Sequence, residues 1–438
     1  MSLSSALSRF PKDSQFRGII RELANSDVKR RNAACDKIQL ISRIETWQDA
    51  RTCDWKISEP EALAIFSAYE SLVLPTPELD WRDGAERLLG LFWRSPYPSL
   101  VEPCKRVYAK HIQPRRRCAI LALLGTIATR EAAEAFMCCI RDHGWPEHGY
   151  PRVFEELEKL LKFSDVMLPD VMLTDGPWTT YVGDALLGAT AKGWLDFAQV
   201  GGSLEQLAPF TLKKLQKALR SATKRQQPRG IAWRFDEKYW SVRNEVCMFL
   251  DLAGWLKAPE LTPILRDATG LADPRIAAFA ATSLVRRGQS VGTRVLNRIA
   301  ACHETRGLLF QLLSAMSRAD LFPAKWRTWE AFGAARMVEW LMYPAELGRE
   351  PDEIHLEQTE PIGPRRNKTV IYVWKFRNRG EQWLAGVSGP HKLTGQPQPV
   401  DGQLTFSRFE EWSAASPLEH IERCAGTVSD FLNPPADE

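Results

Sequence analysis

Two stretches decide the fold: Ser241-Val242-Arg243-Asn244-Glu245-Val246-Cys247-Met248-Phe249-Leu250-Asp251-Leu252-Ala253-Gly254, and Asp273-Pro274-Arg275-Ile276-Ala277-Ala278-Phe279-Ala280-Ala281-Thr282-Ser283-Leu284-Val285-Arg286-Arg287-Gly288. In the first, Val246, Phe249, Leu250 and Ala253 recur at the spacing of one helix face, and Gly254 marks the end. In the second, Asp273-Pro274 opens a helix bearing Ile276, Phe279, Ala280, Ser283 and Leu284, and Arg287-Gly288 closes it. Each stretch is followed by a second amphipathic segment. Pro259 starts one with Leu261, Ile264 and Leu265, and the other carries Val291, Val295, Leu296 and Ile299. Val242-Arg243 and Pro274-Arg275 set their arginines 32 residues apart (243 to 275), the length of a helix-pair repeat.

Weaker copies occur upstream. Ser26-Asp27-Val28-Lys29-Arg30-Arg31 precedes Ala33, Ala34, Ile38 and Ile41, and Arg115-Arg116-Arg117 precedes Ala119, Ile120, Leu123 and Leu124. Thr129-Arg130-Glu131 then opens a partner helix through Ile140. This pattern resembles the HEAT-repeat family, over residues 241–302, 26–41 and 114–140. The resemblance implies a mainly α fold, an α-solenoid of stacked antiparallel helix pairs over residues 1–345. It implies no activity, because its motif encodes the packing of small residues.

Pro146, Pro151, Pro169, Pro177 and Gly201-Gly202 make residues 144–235 less regular. Residues 346–368, with Pro351, Pro361 and Pro364 among acidic side chains, are expected to form a linker or extended arm. Beyond them the period changes from helical to alternating. Thr369 to Phe376 is rich in β-branched and aromatic residues, Asn378-Arg379-Gly380-Glu381 supplies a turn, and Gln382 to Val387 forms the return strand. Phe409 to Trp412 and Pro417 to Cys424 carry helical patterns. Residues 369–432 are therefore expected to form a small α+β module with a β-hairpin, fastened to the preceding helices by Trp374 and Trp383. Residues 433–438 are expected to be a disordered tail.

The composition of the 438 residues, 44% hydrophobic and 26% charged, excludes wholesale disorder and collagen-like classes. The longest nearly apolar run, Cys118 to Ala128, is shorter than the ~20 residues of a membrane span. The first ten residues lack the pattern of a secretory signal, which predicts a cytoplasmic protein. Nine cysteines, an odd number, fit reduced thiols better than a disulfide framework. A net charge of +4 is too small to dictate a polyanionic partner. Its distribution says more. Gln206 to Phe235 holds no acidic residue, and Lys213, Lys217, Arg220 and Lys224 follow i, i+4, i+7, i+11 spacing on one helix face. Lys213, Lys217, Arg220, Lys224, Arg225 and Arg229 are the candidate partner-binding residues. Trp233, Phe235, Tyr239 and Trp240 follow, and aromatics beside basic residues suit a nucleic-acid strand. A solvated helix face followed by core aromatics is the structural alternative.

Catalytic signals are weak. Gly363-Pro364-Arg365-Arg366-Asn367-Lys368-Thr369 lacks the second glycine of a phosphate loop and precedes a strand. Gly386-Val387-Ser388-Gly389-Pro390 has proline where a nucleophile elbow has glycine. Cys138, Cys139, His143, Glu147 and His148 offer an incomplete zinc set, so a buried cysteine pair is preferred to a metal. His391 and His420 with Glu381, Glu410 and Glu411 could supply acid–base groups, without a nucleophile–base pairing among them. Neither catalytic residues nor a cofactor are expected.

Three function classes follow. The first is a non-enzymatic binding or scaffold protein whose concave surface holds a macromolecular partner, a protein by preference, as a subunit of a bacterial multi-protein defence or toxin-neutralising system. The second is a nucleic-acid-binding protein, DNA or RNA, resembling the HEAT-like alkylpurine DNA glycosylases. The third is an enzyme centred on the C-terminal module. No membrane partner is expected.

Overall fold

In the computed structural model, the described residues are scattered positions between 18 and 37, then 58–72, 92, 95–110, 114–146, 151–171, 178–195, 203–226, 232–256, 258–343, 345–362, 369–399 and 405–432. They are mainly helical, with one small antiparallel sheet. The chain divides into two compact units, residues 1–210 and 211–438.

In the first unit the helices whose bounds lie among the described residues include α1 (Glu59–Leu72), α2 (Val101–Lys110), α3 (Pro114–Ile127), α4 (Arg130–His143), α5 (Pro151–Leu160), α6 (Ser164–Val171) and α7 (Trp178–Ala191). Thr129 caps α4 by accepting the Ala132 amide at 3.2 Å. Helices α2, α3 and α4 pack on one another, α5 lies against α3 and α7, and α6 lies against α4. Their shared core includes Tyr108, Ile120, Leu124, Phe136, Leu157 and Leu186, all fully buried. Gly125 lets α3 approach α5: a Cβ there would lie 2.5 Å from that of Glu156. Any larger residue would push the two helices apart.

The boundary between the units falls inside α8 (Ser203–Arg225). The second unit continues with α9 (Glu237–Trp255), α10 (Leu261–Ala268), α11 (Pro274–Arg286), α12 (Thr293–Ala301), α13 (His303–Ala315) and α14 (Trp329–Leu341). Helix α9 packs on α11, α11 on α13 and α13 on α14, while α10 and α12 cover α11 from the side. The two quoted stretches are thus neighbouring layers. Phe249, Leu250 and Leu284 are buried in them as expected, whereas Phe279 is only partly buried. Small residues allow the layers to close: Ser283 Oγ donates to the Leu250 carbonyl at 2.7 Å. Phe310, Phe322 and Phe332 interlock at the end of the stack, with ring centroids 5.3–5.7 Å apart.

After the helices come β1 (Glu353–Ile362), β2 (Thr369–Arg377), β3 (Leu384–Lys392), β4 (Thr405–Glu411) and α15 (Pro417–Leu432). The strands form one antiparallel sheet in the order β1-β2-β3-β4. The β2–β3 pairing sets Phe376 opposite Leu384 and Trp374 opposite Gly386, so the hairpin forms where the alternation placed it. Two expectations need correction. The linker over 346–368 contains strand β1, because Ile354 to Gln358 alternates beneath its charges and pairs with Val373 to Phe376; residues 363–368 lie outside the described set. Phe409 to Glu411 finishes strand β4 instead of forming a helix, since Arg408 and Glu411 on either side of a register shift pair with Ala385 and Leu384 of β3.

The sheet shares a compact unit with α9–α14, so no unit boundary falls at residue 345. Met337 and Leu341 of α14 pack with Tyr372, Trp374 and Phe376 of β2. Gly333 makes the approach possible: a Cβ there would stand 2.8 Å from the Tyr372 ring. Trp374 therefore fastens the sheet to the helices. Trp383 does not, because it lies half-buried under the Arg377 and Lys375 side chains beside His355. The expected tail at 433–438 lies outside the described residues.

Candidate functional site

Helix α8 forms because Leu215, Ala218 and Ala222 repeat on one face, with Thr211 beside them, and all four are buried. The opposite face consists of Lys213, Lys217, Arg220 and Lys224, all exposed, with exposed Arg225 at its edge. None of the five forms an ion pair among the described residues. Arg229, the sixth residue expected here, lies outside those residues. Among the described residues the row has an acidic neighbour that its own sequence does not show. Glu245 on α9 faces Lys214 and Lys217; burial raises its carboxyl pKa and the two ammonium groups oppose that rise.

The end of α8 meets the start of α9. Gln226 Nε2 donates to the Tyr239 hydroxyl at 3.2 Å, and that hydroxyl donates to Asp273 Oδ2 at 2.7 Å. Asp236 caps α9 by accepting the Tyr239 amide at 3.0 Å. Of the four aromatics expected here, Trp233 and Tyr239 are buried and meet edge to face at 4.8 Å. Trp240 points outward and is 42% exposed. The Phe235 side chain lies outside the described residues.

Beneath this surface lies a cluster that periodicity did not reveal. Arg243 of α9 is 3% exposed; it donates to Glu304 Oε1 at 2.7 Å and stands 3.8 Å from Asp273 Oδ2. Asp273 also caps α11, accepting the Arg275 and Ile276 amides at 2.8 and 3.2 Å. Burial raises the Glu304 carboxyl pKa, and Arg243 opposes the rise. Burial also pushes the Cys302 thiol up to about 11, so this cysteine is protonated and inert at neutral pH. One signal was available: Arg243, Asp273 and Glu304 stand 30 and 31 positions apart (243 to 273, 273 to 304), one from each successive layer.

The other constellations separate. Cys138 Sγ donates to Asp142 at 3.1 Å while Cys139 is buried, and burial lifts the latter's pKa to about 12. His143 is exposed at the helix end, and Glu147 and His148 lie outside the described residues. Among the described residues no group of histidine, cysteine and carboxylate side chains could hold a metal ion. His391 Nε2 lies 3.0 Å from Ser388 Oγ, which also accepts from Trp374 Nε1 at 2.8 Å. Ser388 and His391 are both sealed from solvent, and burial lowers the His391 pKa to about 4. The pair is placed to complete a core, with no access for a substrate. His420, also fully buried, bridges Glu410 Oε1 at 2.9 Å and the Trp412 carbonyl at 3.1 Å. Glu381 instead accepts from Asn378 and Arg349, and Glu411 from Ser413. The two histidines therefore serve separate networks.

No family model matches the chain, and no curated protein matches it. Among the described residues, no helix is long and apolar enough to cross a membrane.

Proposed function

We propose that this chain is a non-enzymatic binding protein, a HEAT-like scaffold of stacked helix pairs that holds a macromolecular partner bearing anionic groups. The observation that carries the reading is the exposed face of α8, where Lys213, Lys217, Arg220 and Lys224 project without ion-pair partners among the described residues. A helix face of this kind costs self-repulsion unless counter-ions or a partner neutralise it. The layering of α9, α11 and α13 supports the HEAT-like reading, because each layer buries small residues against the next. The buried, separately bonded histidines support a binding role over acid–base chemistry. A place in a bacterial multi-protein defence or toxin-neutralising system belongs to this proposal, as does a cytoplasmic location.

Retention on an immobilised polyanion tests it. Wild-type protein should elute at markedly higher salt than the Lys217→Glu/Arg220→Glu variant, since each lost cation removes released counter-ions from the equilibrium. Equal elution of two folded proteins would remove α8 as the binding face.

A further inference from the structure

His420 is sealed from solvent, and both of its ring nitrogens face oxygen acceptors. Nδ1 lies 2.9 Å from Glu410 Oε1, and Nε2 lies 3.1 Å from the Trp412 carbonyl oxygen. A neutral imidazole has one N–H and one bare lone pair. One of the two contacts would then set a nitrogen lone pair against an oxygen, in a place that water does not reach. The doubly protonated ring donates at both ends and leaves neither contact unsatisfied. A proton on Glu410 would also satisfy the site, and Arg423 opposes that arrangement. Its Nη1 donates to Glu410 Oε2 at 3.0 Å, which favours the ionised carboxylate.

The surroundings suit a cation. The Trp412 ring stacks on the imidazole, with centroids 5.3 Å apart and planes 26° from parallel, and presents the negative face of its π-system. Trp412 lies just past β4, so the sheet ladder does not claim its carbonyl. The other charged groups on the packed elements, among the described side chains, have their own commitments. On α15, Glu419 is exposed and accepts the Ser416 amide at 2.7 Å, while Glu422 is exposed and Cys424 is a buried thiol. After β4, Glu411 accepts from Ser413. Strands β2 and β3, which α15 also contacts, carry Lys375, Arg377, His391 and Lys392. Lys375 and Arg377 pair with Glu357 and Glu353, His391 lies against Tyr372, and Lys392 is exposed. Glu410 is the carboxylate that meets the ring.

We infer that His420 is held as an imidazolium between Glu410 and the Trp412 carbonyl, a proton latch that fastens α15 to the end of β4. Loss of that proton to solvent leaves one nitrogen as a lone pair facing oxygen, so the latch opens as pH rises. In the unfolded chain both nitrogens meet water, and the second proton is held less firmly. The folded chain therefore binds more protons, and this contribution to stability is complete at acid pH and lost on going alkaline. The sign is opposite to that of His391, which is buried neutral.

The test is NMR of the full chain carrying isotope-labelled histidine, with His420→Gln to assign the ring. At neutral pH His420 should show two ring N–H resonances, where a neutral imidazole shows one. Hydrogen exchange of the α15 amides, corrected for the pH dependence of the exchange chemistry itself, supplies the second readout. Their opening should become about 10- to 150-fold more frequent once the second N–H is lost, the equivalent of one hydrogen bond to a charged group. In His420→Gln, which cannot titrate, that pH dependence should vanish. Glu410→Gln keeps an acceptor but removes the compensating charge, and it should lose the second resonance at a lower pH than the wild type. A single ring N–H at neutral pH would overturn the imidazolium. Two resonances, with α15 exchange that does not respond when one is lost, would overturn the latch.

Discussion

The second unit contains two interiors built on opposite rules. Between α9, α11 and α13 the buried polar groups include full charges beside neutral hydroxyls such as Ser283 and Thr305; the charges are Arg243 against Asp273 and Glu304, and further along the stack Arg306, 1% exposed. Between α14 and the sheet the buried polar groups are neutral: Trp374, Ser388 and His391. The difference follows from what each backbone leaves unsatisfied. Every helix ends with carbonyls that lack partners and begins with amides that do. Arg306 donates to the Ala300 and Ala301 carbonyls at the end of α12 at 2.9 and 3.1 Å, and to the Ala331 carbonyl in α14 at 2.6 Å. Arg287 does the same for α9, donating to the Ala253 carbonyl at 3.1 Å. Helix ends thus supply a partial charge for a buried ion to meet. A sheet interior has its carbonyls and amides already paired along the ladder, so a buried charge there would meet none. Burial lowers the Arg306 pKa to about 10, still far enough above neutrality to leave it charged. Burial instead pushes His391 to about 4, so it is neutral. The same desolvation gives opposite outcomes because the starting pKa values differ.

The contrast can be broken most forcefully at Arg243. Arg243→Met leaves Asp273 and Glu304 buried without their cation, and the loss should be about 3–5 kcal/mol by chemical denaturation. Adding Asp273→Asn and Glu304→Gln to the same chain should recover much of it, because the uncompensated charge is gone while Asn still caps α11. A triple variant no better than the single one would mean that packing, not charge, accounts for the cost. In the apolar part of the same stack, Leu284→Ala should cost about 2–5 kcal/mol, since Leu284 is 2% exposed. A loss below about half a kcal/mol would place it outside the core.

The neutral interior should respond to pH instead. The folded His391 pKa of about 4 lies below the ordinary 6.5. The unfolded chain therefore binds more protons between those values, so this contribution is complete above about pH 6.5 and is lost as pH falls toward 4. The expected loss is on the order of 2–3 kcal/mol by pH 4. His391→Asn should flatten this part of a stability–pH profile, and an unaltered slope would assign it to other groups. Removing the donor to Ser388 with Trp374→Phe should cost about 1 kcal/mol in thermal melts. Smallest of all, Lys217→Glu/Arg220→Glu should change stability by no more than about 1 kcal/mol, since both residues are exposed. A larger destabilisation would mean that the attraction between Lys217 and Glu245 helps hold α8 against α9.

Helix periodicity made α9 to α12 legible, because Phe249, Leu250 and Leu284 are long apolar side chains whose burial sets the 3.6-residue pattern. The hairpin of β2 and β3 was legible for the equivalent reason at period two. Strand β1 was not. Its Glu353, Glu357 and Glu360 lie on an edge strand where charge is tolerated, and Glu353 and Glu357 pair with Arg377 and Lys375 across the ladder. In sequence they resemble a solvated linker. Helix α8's cations were legible as a row, but Glu245 reaches them from another helix, which only the tertiary fold could show. Trp240 and Tyr239 could not be told apart by composition. The Tyr239 hydroxyl finds a buried carboxylate while Trp240 turns out to a backbone carbonyl, and neighbouring positions on one helix point in different directions.

Layered helical proteins commonly loosen one layer at a time, since each layer depends only on its neighbours. The triangle of Arg243, Asp273 and Glu304 draws on three helices, α9, α11 and α13, and Asp273 also holds the hydroxyl of Tyr239. No single one of these helices can detach without exposing a charge from which the others have excluded water. Partial opening is thereby made costly relative to opening all three together. In native-state hydrogen exchange, the amides of α9, α11 and α13 should accordingly share one opening free energy, as a single cooperative block rather than a graded series.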